Sequence, residues 1–318
     1  MAGTGRKTGG LGEPSRAEPL YCWLPALAHF ERGHPVRAWL ARADRLPAGG
    51  SGYLGGLGDY FGGVDADVAA GAITREFLHG DAGEALWLSA DPAWVQPDMN
   101  GVRLLACGQL QLGMDEALAL AEPLRAVFEE ADMQLVVSAP DHWHLRLAPD
   151  TPLPKFAAPE QALGEDLSQH LPAGAQGRRW RVLLNDIQIL LHQHPLNAVR
   201  RGRGLSPVNS LWLWGGGRLP PPASTRLRGV ASDDLLLSAL AARAGVVHQP
   251  RAIETCGDIG GGWLLDLQDL AAGEIASAWS AVLQDRLQHQ SVILHFAGGE
   301  RWQRKPWHRW RMWRGAGR

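Results

Sequence analysis

A set of polar side chains lies along one connection of the sequence, residues 194–217. The residues of interest are His194, Asn197, Arg200 and Asn209. Arginine offers a planar fork that forms two parallel hydrogen bonds with a phosphate or a carboxylate. The pattern therefore predicts a small-anion site formed by these four side chains. In the alternative interpretation, the asparagines hold turns by bonding to nearby backbone and the arginines of the connection face water.

Two histidine pairs have the spacing of possible metal ligands. His142 and His144 alternate along a predicted strand, and His192 and His194 repeat this spacing at the end of a predicted helix. Such a pair faces one side of a strand and could form half of a metal site. No third ligand stands beside either pair, so we expect structural or surface histidines. The acidic pair 233–234 begins an apolar helix, which favours helix capping over metal binding.

The last part of the sequence interleaves tryptophan with basic residues. The tryptophans are Trp302, Trp307, Trp310 and Trp313. Tryptophan and arginine are favoured in protein interfaces, so this stretch is a candidate interaction surface. The alternatives are single-stranded nucleic acid held by stacking and charge, a membrane surface, and indole rings packed on the core under arginine stems. The 14 tryptophans of the chain favour packing on the core.

Composition places the chain among soluble globular proteins. Of its 318 residues 45% are hydrophobic and 20% are charged, which fits one large or two modest domains. The net charge of −2 argues against nucleic acid as a partner. The three scattered cysteines form no CxxC pair and indicate a reducing compartment. Because the first residues lack an apolar signal region and no apolar run is long enough for a membrane helix, we expect a cytoplasmic protein without a membrane partner.

The segments before residue 83 show little sign of a sheet. Residues 1–19 are rich in glycine, proline and charge and are predicted to be a disordered tail. Residues 20–82 are predicted to be a helical N-terminal segment with a glycine-rich loop, because apolar residues recur at helical spacings. The loop, residues 49–63, contains G-x-G-x-x-G from Gly50 onward. Since no strand precedes this motif, a flexible loop is favoured over a phosphate cradle.

The remaining sequence predicts two kinds of sheet. Residues 83–175 read as strand, strand, helix, strand, strand, which indicates an α+β subdomain with a helix on an antiparallel sheet. Residues 176–318 alternate helices and strands and predict an α/β core. One amphipathic helix should end before Pro195, because the residue preceding a proline avoids the helical region. The expected fold class is therefore α/β with a mixed sheet, preceded by the α+β subdomain and the helical N-terminal segment.

The middle of the chain carries a family resemblance. The matching positions are His194, Pro195, Asn197, Arg200, Gly204, Asn209, Trp214, Gly215, Gly217, Gly229 and Gly245. Around them, residues 194–245 resemble the central part of archaeal-type, cofactor-independent phosphoglycerate mutases of the alkaline-phosphatase-like superfamily. The whole chain is also similar to RpfE-type regulatory proteins, notably in the segment ADPAWVQPDMNGVRLLACGQLQLGMDEA. The resemblance implies that the mixed sheet is a reduced alkaline-phosphatase-like core.

Resemblance to the mutases implies two divalent ions, held by Asp and His ligands around a Ser or Thr nucleophile. The ligand pattern is interrupted at both ends of this chain. The N-terminus shows no strand that ends in an Asp-Gly-x-x-Asp motif. Near the C-terminus, His295 matches a family histidine, but the Asp and His that should follow are absent, and Glu300 and His308 have a different spacing. We therefore expect no catalytic residues, no metal site and no cofactor.

The expected function is that of a non-catalytic regulatory or interaction protein related to these mutases, with a small-anion pocket. Its expected partner is another protein or a phosphorylated metabolite. Two alternatives stay open. The chain could be an active phosphoglycerate mutase or another metal-dependent phosphotransferase, with Mn or Mg as cofactor. It could also bind nucleic acid through its C-terminal Trp/Arg stretch.

Overall fold

The computed structural model describes residues 18–99 and 101–311. Most of the predicted tail and Trp313 therefore lie outside the described residues. The strands of the described residues are β1 (Leu20–Leu24), β2 (Asp44–Arg45), β3 (Phe61–Gly62), β4 (Leu86–Asp98), β5 (Gly101–Cys107), β6 (Met133–Ala139), β7 (His142–Leu147), β8 (Ser210–Gly217), β9 (Ser224–Thr225), β10 (Gly229–Ala231), β11 (Val247–Gln249), β12 (Trp263–Asp266), β13 (Val292–Phe296) and β14 (Arg301–Arg304). The helices are α1 (Pro35–Ala41), α2 (Gly52–Tyr60), α3 (Ala70–His79), α4 (Met114–Ala121), α5 (Arg125–Glu130), α6 (Pro159–Ala162), α7 (Leu167–His170), α8 (Gly174–His192), α9 (Pro195–Gly202), α10 (Leu235–Arg243), α11 (Ala272–Glu274) and α12 (Ser280–His289).

The chain forms two compact units, each assembled from separate segments. Of the described residues, unit 1 contains 18–49, 226–233 and 246–311, and unit 2 contains the rest. This division differs from the consecutive segments predicted from the sequence. The reason is that unit 1 builds one sheet from strands at both ends of the chain, which local patterns cannot reveal.

Unit 1 contains a seven-stranded mixed sheet in the order β11-β10-β12-β1-β13-β14-β2. Its first five strands are parallel, and the last two are antiparallel to their neighbours. The predicted α/β class with a mixed sheet is confirmed. The helical prediction for residues 20–24 is wrong, because these residues form the central strand β1. Both faces of this strand are covered, so its apolar run lacks the alternation of a half-exposed strand.

The core of unit 1 lies on this sheet. It joins residues of β1, β12 and β13 to apolar side chains from α1 and α12. The buried members include Leu20, Leu24, Val36, Trp39, Leu265, Leu283, Leu287 and Leu294. Removing such side chains from water is the main favourable contribution to folding.

Unit 2 contains the predicted α+β arrangement. Its main sheet has the order β5-β4-β7-β6, with β8 paired to β4 as well, and all its pairs are antiparallel. Between β5 and β6, α4 and α5 are separated by a 3-10 turn at Glu122–Leu124. Pro123 accounts for this interruption, since proline lacks the N–H that a continuous helix needs.

Helix α8 ends before Pro195 as predicted, and it buries one face, including Trp180 and Ile187. The loop expected after it instead contains helix α9, which begins at Pro195 itself. Proline suits the first position of a helix, where no N–H donor is required.

The glycine-rich segment is not the flexible loop that its composition predicts. Residues Gly52–Tyr60 form helix α2. A Cβ atom on Gly50 would collide with the backbone of Gly55, so glycine allows a close backbone approach there. In the part of the chain that the structure describes, no helix has both the length and the apolar character needed to cross a membrane.

Candidate functional site

Two of the four residues predicted to bind an anion lie at the start of α9. His194 is the N-cap, and its Nδ1 accepts a hydrogen bond from the backbone N of Leu196 at 3.3 Å. Asn197 is buried, and its amide donates to the carbonyl oxygens of Leu191 and Val208 at 2.7 and 2.8 Å. Its Oδ1 accepts from the backbone N of Val208 at 2.8 Å. Asn197 therefore fastens the connection that follows α9 to the end of α8.

Arg200 is completely buried on the same helix. Its guanidinium donates to Glu116 at 2.7 Å, to the carbonyl oxygen of Ser206 at 2.9 Å and to that of Leu110. The exposed Arg203 contacts the other carboxylate oxygen of Glu116 at 3.2 Å. These contacts link α9 to α4 and to the loop that precedes it.

Asn209 extends the pairing of β8 with β4. Its Oδ1 accepts from the backbone N of Val95 at 2.8 Å, and its amide donates to the carbonyl oxygen of Val95 at 2.7 Å. The hydrogen bonds seen for all four side chains thus go to the protein itself. This arrangement favours the interpretation of a fastened connection, except that Arg200 is buried and does not face water. Anion binding by His194, Asn197, Arg200 and Asn209 stays a prediction.

His144 belongs to a buried hydrogen-bonded network of unit 2. Its Nδ1 lies 2.6 Å from Ser138 Oγ and its Nε2 lies 2.8 Å from Thr74 Oγ1. The Thr74 hydroxyl donates to the carbonyl oxygen of Ala70, and Ser138 Oγ accepts from Arg75. A neutral imidazole with its proton on Nε2 satisfies every one of these groups. Burial lowers the pKa of His144 to about 4, in agreement with a neutral ring.

His142, two residues earlier on β7, has a different partner. Its Nδ1 lies 3.4 Å from the buried carboxylate of Asp91, which also accepts from the indole nitrogen of Trp214 at 2.8 Å. Burial lowers the pKa of His142, but the hydrogen bond and charge of Asp91 outweigh this effect and raise it. His192 is exposed at the end of α8. The contacts of these histidines are those of structural and surface groups.

The carboxyl ends of the parallel strands of unit 1 form a second polar region. Ligands of α/β sheets bind at this edge, where the strand ends meet. Asp266 ends β12 and is fully buried. Its Oδ2 accepts from the hydroxyl of Ser232 at 2.7 Å, and its Oδ1 accepts from the backbone N of Gln268 at 3.2 Å.

Arg251 supplies a positive charge at this edge. Its guanidinium pairs with the carboxylates of Asp269 and Asp233, at 3.1 Å for Nη2 to Asp269 and 3.4 Å for Nε to Asp233. It also donates to the backbone oxygen of Asp266 at 3.0 Å. Burial alone lowers the pKa of Arg251, but these acids outweigh it and raise the pKa. The three acids therefore surround a cation that belongs to the chain.

The acidic pair at residues 233 and 234 has two separate roles. Asp234 is the N-cap of α10, and its Oδ1 accepts from the backbone N of Leu237 at 2.7 Å. The capping prediction is confirmed for Asp234. It is wrong for Asp233, whose carboxylate instead contacts Arg251, because the helix begins one residue later than predicted.

The remaining acidic and histidine candidates near the C-terminus have structural surroundings. His295 is buried on β13, and its ring stacks on Trp23 with the centroids 6.1 Å apart. Glu300 lies between β13 and β14, and its backbone oxygen accepts from Phe296. His308 is fully buried in the 3-10 helix Pro306–Trp310, with its Nε2 at 3.4 Å from Asp44.

Among the described residues, the carboxyl edge of unit 1 lacks a cluster of ligands for the two divalent ions that the mutase resemblance implies. Strand β1 is followed by Pro25 and Ala26, whose side chains offer no ligand atom. Both oxygens of Asp266 accept hydrogen bonds from Ser232 and Gln268. Within residues 18–99 and 101–311, no three His, Cys, Asp or Glu side chains come together as metal ligands.

The C-terminal tryptophans divide into two groups. Trp302 on β14 is half-buried, and its ring packs edge-on against Phe296 at 5.4 Å. Trp307 and Trp310, in contrast, are 59% and 67% exposed. The packing alternative thus describes Trp302, and the two exposed rings are available for contacts with another molecule.

Sequence reasoning missed Arg251 and Asp266. Asp266 ends the short apolar run WLLD, and a carboxylate directly after such a run is a signal of a strand end. Arg251 follows the strand VHQ and a proline, a position that is informative only once the strand is known.

Comparison with known proteins shows a sequence relationship that covers part of the chain. The chain is 39% identical over 66 residues to a probable 2,3-bisphosphoglycerate-independent phosphoglycerate mutase of Geobacter sulfurreducens, covering 21% of this chain and 16% of that protein. It is 29% identical over 111 residues to the 2,3-bisphosphoglycerate-independent phosphoglycerate mutase of Methanosarcina barkeri, covering 34% and 28%. The chain thus spans less than a third of these relatives, and over that part it is homologous to cofactor-independent phosphoglycerate mutases. No family model matches the chain.

Two solved structures align with most of the chain at low sequence identity. A cofactor-independent phosphoglycerate mutase from Thermoplasma acidophilum aligns with a TM-score of 0.40 and 12% identity, covering 90% of this chain and 89% of that one. The PH0037 protein from Pyrococcus horikoshii aligns with a TM-score of 0.38 and 11% identity, covering 91% and 87%.

Proposed function

We propose that the chain is a non-catalytic relative of cofactor-independent phosphoglycerate mutases, an RpfE-type regulatory or interaction protein of the cytoplasm. The partial sequence relationship supports the kinship. The surroundings of Arg251 carry the non-catalytic part of the proposal. Scattered cysteines, all three of them free, support the location.

Arg251 puts a permanent positive charge at the carboxyl edge of the parallel strands, the edge where α/β sheets bind their ligands. Its guanidinium contacts Asp233 and Asp269 and lies against the backbone of Asp266. An arginine stays protonated at every physiological pH, so it neutralises these acids permanently. A divalent ion at this edge would have to displace Arg251 or bind against the repulsion of its positive charge. Phosphoryl transfer of the two-metal type depends on ions that stabilise both the attacking and the leaving oxygen.

Calorimetric titration of the full chain with Mn²⁺ tests the proposal directly. We expect no tight binding, and no interconversion of phosphoglycerates when Mn²⁺ is present. Two tight sites together with metal-dependent turnover would contradict the proposal and establish the alternative of an active mutase.

An arginine variant tests the role of the internal cation. Arg251→Met leaves the carboxylates of Asp233 and Asp269 without their counter-charge, so we expect Mn²⁺ to raise the melting temperature of this variant but not that of the wild type. Arg228→Met is the matched control, because Arg228 pairs with Glu18 where both side chains are partly exposed. An equal response of the wild type and Arg251→Met would show that Arg251 does not take the place of a metal ion.

A further inference from the structure

The 3-10 helix Pro306–Trp310 is held firmly on unit 1. Its own residue His308 is fully buried, and the Nδ1 of His308 accepts from the backbone N of Lys305 at 3.4 Å. Arg311, directly after the helix, donates to the carboxylate of Asp44 at 2.6 Å and to the backbone oxygen of Arg42. A segment fixed in this way presents its outward side chains without a large ordering cost on binding.

The outward side chains of this helix are two tryptophans. Trp307 and Trp310 are 59% and 67% exposed. Residues three apart on a 3-10 helix lie above one another, about 6 Å apart along its axis. Both indole rings are exposed on this short helix, and tryptophan is among the side chains that contribute most of the binding energy of interfaces.

Positive charge surrounds the two rings. The Lys305 ammonium lies 5.2 Å from the Trp307 ring centre, and the Arg309 guanidinium lies 4.9 Å from that of Trp310. Residues 301–311 contain five basic side chains and no Asp or Glu. Burial, together with the charges of Arg42 and Arg311, lowers the pKa of Arg304. A surface of this kind attracts an anionic partner.

We propose that Trp307 and Trp310, with Lys305 and Arg309, form a docking surface for an acidic segment of a partner protein. This inference names the partner class for the interaction role proposed above and rests on that role. The planar guanidinium of an arginine donates hydrogen bonds to the carboxylate of an acidic side chain. The neighbouring indole ring packs against the apolar stem of the same side chain.

An acidic polypeptide fits this surface better than nucleic acid. The chain's own cations already cover one face of each ring, which leaves less ring surface for stacked bases. The whole chain has a net charge of −2, which does not favour the approach of a polyanion. A short carboxylate-rich segment needs only the local positive field.

Fluorescence anisotropy with a fluorescein-labelled oligo-glutamate peptide and the full chain tests the inference. We expect saturable binding that weakens as salt is added. The double substitution Trp307→Ala/Trp310→Ala should weaken it at least about tenfold, the scale of interface hot spots. Arg309→Gln should also weaken it, and Arg309→Lys should restore part of the affinity.

Val247→Ala is the matched control. Val247 is 48% exposed on β11, at the edge of the sheet opposite to β2, so its loss should leave the affinity unchanged. Near-ultraviolet circular dichroism checks that each variant is folded. Absence of peptide binding, or equal binding by the double variant, would overturn the inference.

Tryptophan-dependent binding of oligothymidylate or of phosphatidylserine vesicles in preference to the peptide would also overturn it, because the partner class would then be different. The Mn²⁺ titration does not involve these tryptophans. The peptide-binding experiment can therefore contradict the docking surface without contradicting the non-catalytic proposal, and the Mn²⁺ titration can do the reverse.

Discussion

At the scale of single residues, His144 makes the stability of unit 2 depend on pH. Its pKa is about 4 in the folded chain, because burial disfavours the charged ring. In the unfolded chain it should be near the usual ~6.5. The unfolded state therefore binds the extra proton first as the pH falls. Stability should decrease between about pH 6.5 and pH 4, by up to about 3 kcal/mol from this group.

Urea unfolding of the wild type and of His144→Asn at a series of pH values checks this prediction. The variant should be less stable at pH 7, since Ser138 and Thr74 lose a partner, and the slope of its stability against pH should be smaller. His192→Asn is the matched control, because His192 is exposed at the end of α8. Identical slopes for the wild type and His144→Asn would contradict the prediction.

The residues predicted to bind an anion show which hydrogen-bond partners can be predicted from residue type and which cannot. Backbone bonding by Asn197 and Asn209 follows from residue type, since asparagine side chains compete for nearby N–H and C=O groups. The partner of Arg200 was not predictable. Glu116 lies 84 positions earlier in the chain, and only the tertiary fold brings its carboxylate to the guanidinium.

At the scale of elements, Arg200 determines how firmly α9 is attached. Its side chain is fully buried, and Glu116, its partner on α4, is 19% exposed. Without Arg200, Glu116 keeps only the exposed Arg203 as a partner, and the carbonyl oxygens of Ser206 and Leu110 lose a donor. We expect Arg200→Met to lower the free energy of unfolding by about 3 kcal/mol, measured by urea denaturation.

Arg201→Met provides the comparison on the same helix. Arg201 is the next residue and is exposed, so its loss should change stability by less than about 0.5 kcal/mol. If both variants are equally stable, the guanidinium of Arg200 does not hold α9 in place. If Arg200→Met keeps its stability but loses phosphate binding, the anion-site prediction gains support.

Some helices and strands of this protein can be predicted from the sequence better than others. Helix α8 and the last two strands predicted within residues 83–175, which are β6 and β7, have clear periodicity, and these predictions are confirmed. Strand β1 has only five residues, and a short apolar run does not distinguish a buried strand from a piece of helix. Helix α2 was missed because its glycines have low helix propensity, which tertiary contacts overrode.

At the scale of the whole molecule, unit 1 depends on partners distant in sequence. Strand β1 lies between β12 and β13, with Cys22 paired to Leu265 and to Leu294. More than two hundred residues separate these partners along the chain. Local sequence patterns do not reveal such distant pairing. The consecutive segments predicted from the sequence therefore differ from the segments that make up the two units.

This arrangement predicts that β1 and β13 lose protection together. Leu294 is fully buried in the core of unit 1, so Leu294→Ala should cost about 2–5 kcal/mol. In native-state hydrogen exchange, the amides of β1 and β13 should then exchange at least about thirtyfold faster, because each 1.4 kcal/mol is a factor of ten. Val247→Ala, at an exposed position of the same sheet, should leave these rates almost unchanged. Faster exchange confined to β13 and β14 would show that β1 is stable without its C-terminal neighbour.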